Sequence, residues 1–173
     1  CGVPDPPLKD HERDLYDKSR NSTFDGMIDK CVDLYFETEY DIFLALGSIE
    51  GVITWVTNLY NNVAVLYANE MIQTTLSDIY PWYVVDPYNA STAEATLTEF
   101  QNERDYINGH LGMLLTKRDI GGGWAMIDGL CYSVDERLGV SGNLELVYPG
   151  VPTYSWTTQV VTHEFGHIFG SRQ

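Results

Sequence analysis

Positive charge is scarce in this chain. Ten lysines and arginines stand against 25 aspartates and glutamates, a formal net charge of −15 over 173 residues. Contact with a polyanion needs basic side chains that displace counterions, so this balance argues against nucleic acid and against anionic membrane as partners. Long hydrophobic runs are missing as well. No stretch approaches the ~18 consecutive apolar residues of a membrane span, and no charged-then-apolar signal segment opens the chain. Any export signal is therefore expected to have been removed ahead of Cys1. There are only three cysteines, an odd count that, in a secreted protein, leaves one free or paired outside the chain. Of the four histidines, His11 and His110 stand isolated, and an isolated histidine is more often solvated or hydrogen-bonded than metal-bound.

What is present suffices for one folded unit. With 44% hydrophobic residues, the chain can bury one substantial core, and a single domain is the default. Residues 1–29 carry proline at three of the first seven positions and little periodicity, which reads as an extended lead-in. Alternation and aromatic content predict a first strand over Cys31–Phe36. Ile49, Val52, Ile53, Val56, Leu59, Val63 and Leu66 recur at helical spacing and predict a long amphipathic helix over about 47–69. Met71–Trp82 alternates again, with Pro81 marking its end. Ser91-Thr92-Ala93-Glu94 reads as a capping box for a helix running to about Asn108, with Ala93, Leu97, Phe100 and Ile107 inward.

His110–Thr116 reads as a third strand, with Leu111, Met113 and Leu115 on one face and Leu114 on the other. Gly121–Ile127 reads as a short edge strand, and Leu144–Tyr148 as one strand in an otherwise loop-rich stretch. Alternating strands and helices imply an α/β (or α+β) fold with a largely parallel sheet and right-handed crossovers. Glycines beside an edge allow close backbone approach, so an extended peptide can add there as an extra strand.

The chemistry concentrates in His163-Glu164-Phe165-Gly166-His167-Ile168-Phe169-Gly170. At about 100° per residue, histidines four apart lie one turn apart and nearly in register, so two imidazoles can converge on one ion. Zinc held by neutral nitrogens with an open water position lowers that water's pKa to near 7, and the adjacent Glu164 carboxylate can take its proton. Val161, Phe165 and Ile168 fall on the side opposite the histidines, so one face packs and the other meets a cleft. Ser155 is placed to cap this helix.

The stretch from His163 to Gln173 resembles the metzincin signature H-E-x-x-H-x-x-G-x-x-H, with Gly170 suited to the turn that ends the helix. Lys30–Glu37, Gly121-Gly122-Gly123-Trp124-Ala125 and Gly129-Leu130-Cys131 resemble the reprolysin (adamalysin) branch, especially its secreted bacterial relatives. This resemblance implies that residues 30–173 form the upper subdomain of a zinc metallopeptidase. Its twisted, mostly parallel sheet would have an antiparallel edge strand, two long backing helices and an active-site helix. It further implies Zn2+ as cofactor, His163 and His167 as ligands, Glu164 as catalytic base, and Gly122, Gly123, Trp124 and Ala125 as contacts for a peptide or protein substrate. Gly170, Cys31 and Cys131 take structural roles, and an extracellular or periplasmic location follows.

The chain departs from that pattern in two places. The third-ligand position holds Gln173, whose amide oxygen is a weaker zinc partner than imidazole or carboxylate. The Met-turn and the lower subdomain would lie after Gln173, in a C-terminal remainder of the same catalytic domain. Relatives bond the cysteine at the position of Cys131 to one beyond the active-site helix. Cys1 then has three readings: a disulfide to Cys31, a lipidated terminus, or a latency switch, since Cys1-Gly2-Val3-Pro4-Asp5 resembles the segment whose thiolate fills the open zinc position in matrix metalloproteinase propeptides. The expected function is a zinc-dependent endopeptidase hydrolysing peptide bonds of proteins, latent, truncated or weakened by Gln173 at its third ligand. The alternative is a catalytically silent, metzincin-like peptide-binding module.

Overall fold

The computed structural model describes residues 31–147 and 155–171. The lead-in over 1–29, Cys1 and Gln173 lie outside the described residues. Five strands and four helices follow one another as β1 (Cys31–Thr38), α1 (Tyr40–Leu46), α2 (Ile49–Asn69), β2 (Gln73–Pro81), α3 (Ala93–Glu103), β3 (Leu111–Leu115), β4 (Gly123–Ala125), β5 (Leu138–Ser141) and α4 (Trp156–Ile168). The sheet order is β2-β1-β3-β5-β4. The first four strands in that order pair in parallel, and β4 pairs antiparallel to β5 at the far edge. This is the mostly parallel sheet with one antiparallel edge strand that the metzincin resemblance implies.

Strand β3 shows why the sheet is covered on both sides. All five of its residues are buried, as parallel strands between two helical layers are. Leu111, Met113 and Leu115 face one apolar cluster and Leu114 the other. The first cluster collects α2 and α4 against Leu34 and Phe36 of β1. The second collects Ala93, Leu97 and Phe100 of α3 with Leu138 and Val140 of β5. One long helix thus backs the metal-motif side of the sheet and the shorter α3 backs the opposite side.

Several boundaries differ from those expected, each for a local reason. Gly47, at φ +77°, ends an additional short helix, α1, and Ser48 then caps α2 by accepting from the Gly51 N–H at 3.0 Å. The inward face of α2 is Val52, Trp55, Val56, Leu59, Val63 and Tyr67; Ile49 and Ile53 are exposed. Trp55 and Tyr67 bury more surface than the aliphatics they replace on that face and so set its rotation. Helix α3 starts one residue late, capped by Thr92 rather than Ser91, and ends at Glu103. Ile107 is nevertheless buried, from the following loop.

In β2 the alternation breaks at Ser77, where a bulge lets Leu34 pair with Leu76 and Tyr35 with Asp78. Ile79, not Asp78, therefore joins Ile72 and Leu76 against the core. Strand β5 lies at Leu138–Ser141, after a 3-10 turn over Val134–Arg137, and not at 144–148; residues 144–147 are not strand, and Tyr148 lies outside the described residues. A four-residue strand with a glycine in it shows too little alternation to be read from sequence. Cys31 is a free thiol whose Sγ lies 3.6 Å from Gln73 Oε1; Cys1, its expected partner, lies outside the described residues. The pairing of Cys131 rests with residues outside those described.

Candidate metal centre

Helix α4 carries the motif, and its sequence explains how it is held. Ser155 accepts from the Thr158 N–H at 3.4 Å, which satisfies one of the first-turn donors. Val161, Phe165 and Ile168 are fully buried. Phe165 meets Phe36 of β1 edge-to-face, with centroids 5.6 Å apart. From the neighbouring α2, the Tyr67 hydroxyl donates to the Thr162 carbonyl at 2.6 Å. Anchored on that side, the helix turns His163, Glu164 and His167 toward a cleft of about 500 Å3 walled by Gly123, Trp124, Ala125 and Ile127.

The two imidazoles converge. His163 Nε2 and His167 Nε2 lie 3.0 Å apart, with ring planes at 83°. Two nitrogens bound at zinc distances to one tetrahedral ion stand about 3.3 Å apart, so the pair needs only a small opening to accept one. The chain also fixes which nitrogen of His167 is available. Gly170 takes φ +99° and turns the chain back, with its N–H donating to His167 O at 2.8 Å and the Ser171 N–H donating to Gly166 O at 2.9 Å. That return brings the Ser171 carbonyl within 3.0 Å of His167 Nδ1. A carbonyl only accepts, so Nδ1 carries the proton and Nε2 keeps its lone pair for the cleft. Desolvation, and then the neighbouring His167, hold His163 below the ordinary histidine pKa, which favours the neutral form a metal requires. Among the described residues no group of three potential metal-binding side chains assembles.

Glu164 sits between this pair and the sheet edge. Its side chain lines the cleft, yet the residue is only 4% exposed. Burial pushes its carboxyl up to about 7, with His167 pulling the other way. A group poised near neutrality both takes and returns a proton readily.

The edge strand presents open backbone to the same cleft. Gly122 O accepts from the Gly142 N–H at 2.9 Å, and Ser141 O turns the other way, accepting from Thr116 at 3.0 Å. With Gly123 paired to Ser141 and Ala125 to Gly139, the alternation of an antiparallel ladder turns the polar groups of Gly123 and Ala125 outward. Trp124 is 49% exposed. Gly122, at φ +114°, occupies a conformation that glycine adopts without a Cβ penalty. It leads into a second recess of about 250 Å3 floored by Trp156, Gln159 and Val160.

The metallo-peptidase family M12 model named Reprolysin_5 matches residues 29–172. The chain belongs to this family. Curated proteins give no match. Among solved structures, this M12 chain is similar to one in a structure of a chaperone–substrate complex (TM-score 0.54, 17% identity, 81% of this chain and 26% of the other). It is also similar to the crystal structure of metalloproteinase-II from Bacteroides fragilis (TM-score 0.48, 17% identity, 88% of this chain and 48% of the other). The M12 chain thus spans about a quarter and about half of those two molecules. The fold is metzincin-like, as the signature implies.

Of the site residues read from the sequence, His163, Glu164, His167, Gly123, Trp124 and Ala125 come together at the cleft, Gly122 lines the adjoining recess, and Gly170 forms the turn behind the helix. Cys131 lies in the loop after β4, at φ +78°, and Cys31 opens β1 on the opposite side of the sheet from β4 in strand order. His110 serves the backbone, its Nδ1 accepting from the Asp33 N–H at 2.9 Å. Three contributors were given no role at the site by the sequence reading. They are Tyr67, Ser171 through its carbonyl, and the Asp128–Leu130 loop, whose Asp128 and Leu130 N–H groups donate to His167 O and Ile168 O at 2.9 and 3.2 Å. Backbone donors carry no residue-type signal, and Tyr67 is one of 12 tyrosines.

Proposed function

We propose that this M12 chain provides the zinc-binding and substrate-binding wall of an extracytoplasmic endopeptidase. The observation that carries the reading is the convergence of His163 Nε2 and His167 Nε2 at 3.0 Å beside the open backbone edge of Gly123 and Ala125. When bound there, zinc supplies Lewis-acid polarisation of a carbonyl and a more acidic water. The chain's own groups do the rest. An extended peptide pairs with the outward N–H and C=O groups of Gly123 and Ala125, which sets the scissile bond over the imidazole pair. Glu164 takes the proton of the attacking water and passes it to the leaving amine. The residues beyond Gln173 that complete a metzincin domain are proposed as the facing wall of the cleft.

Gln173 favours a second reading, a peptide-holding module without turnover, because an amide oxygen is a poor third ligand. Incubation of the zinc-loaded protein with a peptide mixture, read by mass spectrometry, separates the two. Internal cleavage that stops on chelation and returns with zinc supports the endopeptidase. Peptide retention with no new termini supports the module.

A further inference from the structure

Gly123 differs from the two glycines before it. Gly121 and Gly122 have φ +86° and +114°, whereas the φ of Gly123 lies in the range open to any residue. Its backbone does not require glycine; the space beside it does. A Cβ built on Gly123 falls 2.5 Å from Glu164 Oε1, 2.6 Å from Cγ and 2.7 Å from Cδ, closer than carbon atoms approach in folded proteins. All three nearest atoms belong to Glu164, and two of them lie below its carboxylate oxygens, so rotating the tip alone does not relieve the contact.

We infer that Gly123 is the seat of Glu164: the missing side chain of the edge strand is the space in which the carboxylate is held toward the imidazole pair. The inference rests on the reading of Glu164 as the base and adds a positioning residue to it. It also gives β4 two duties at one position, since the same residue turns its polar backbone groups outward for a peptide. On a helix, side chains rotate about χ1 between few wells because one is closed by the preceding turn. A side chain at position 123 therefore drives Glu164 into another well, away from the cleft. His167, held by the Ser171 carbonyl, and His163, on the same helix whose opposite face is packed, stay where they are.

The test compares G123A, E164A and G123A/E164A with the parent, first without metal. Alanine is a better strand residue than glycine. The substitution is thus expected to destabilise the parent and to be neutral or stabilising in the E164A background, a coupling of roughly five- to a hundredfold in the unfolding constant. In a crystal structure of metal-free G123A, the carboxylate is expected in a new rotamer with His163 and His167 superimposed on the parent. With zinc, kcat should drop roughly a hundredfold while KM and zinc affinity stay within about threefold. The seat is overturned if the destabilisation persists undiminished in G123A/E164A, including the case in which both variants fail to fold. An unmoved Glu164 with a displaced strand overturns it too, as does unchanged kcat in an active parent. Should the parent prove inactive, the endopeptidase reading fails while the stability cycle and the crystal structure still decide the seat.

Discussion

Arg104 grips Glu37 with two nitrogens, Nε at 2.7 Å from Oε2 and Nη2 at 2.9 Å from Oε1. Glu37 is the penultimate residue of β1 and is fully buried, on the face of the sheet away from α4. Three more donors complete its shell: the hydroxyls of Tyr35 and Tyr88 at 2.7 and 2.6 Å and the Trp82 indole N–H at 2.6 Å. Burial, reinforced by the Glu37 charge, pushes both tyrosine hydroxyls above their ordinary range, so they remain protonated donors. The guanidinium also rests over the Tyr80 ring, 4.6 Å from its centroid.

Breaking this pair from one side leaves a buried charge without its counter-ion. Arg104→Ala should lower the unfolding free energy by about 3 kcal/mol, read as a reduced urea midpoint at unchanged slope. A loss below about 1 kcal/mol would mean that the three neutral donors suffice for Glu37.

Glu164→Gln keeps the shape of the side chain and removes its basicity. It should lower kcat by at least about a hundredfold while zinc still binds, as followed by titration calorimetry. Parent-level turnover in this variant would remove Glu164 from the proposed mechanism.

Zinc that binds only the folded chain should raise its thermal midpoint in proportion to the logarithm of free metal. His163→Ala and His167→Ala should each abolish that rise, because either change leaves a single imidazole. A rise that survives both changes would place the ion elsewhere.

Tyr67→Phe deletes one hydroxyl and exposes nothing. The Thr162 carbonyl then loses its donor from α2, and stability should fall by about 1 kcal/mol. Hydrogen exchange in α4 should quicken more than in α3, which Tyr67 does not anchor.

The motif helix was the most legible part of the chain because its information is local. Val161, Phe165 and Ile168 mark the packed face, Ser155 the start and Gly170 the turn, and all lie within 16 residues of one another. The edge strand was legible in place but not in extent, since Gly121 and Gly122 take left-handed conformations and only Gly123–Ala125 pair with β5. Glu37 shows where local reading stops. Its position between Phe36 and Thr38 marks it as a charge in a buried strand, but Arg104 lies 67 residues on, and a non-local partner leaves no periodic trace. The glycine character of position 123 reads as openness at an edge; that Glu164 occupies the vacated space is a fact of tertiary packing alone.

The loop after β4 hydrogen-bonds through Asp128 and Leu130 to the last carbonyls of α4, so the rim that a guest chain would zip along is riveted to the rod that bears the imidazoles. Strand and rod are thereby joined as a single plate. Under the proposed function, closure on a peptide would then come from the facing side, with the distance from the held backbone to the ion set by this one unit.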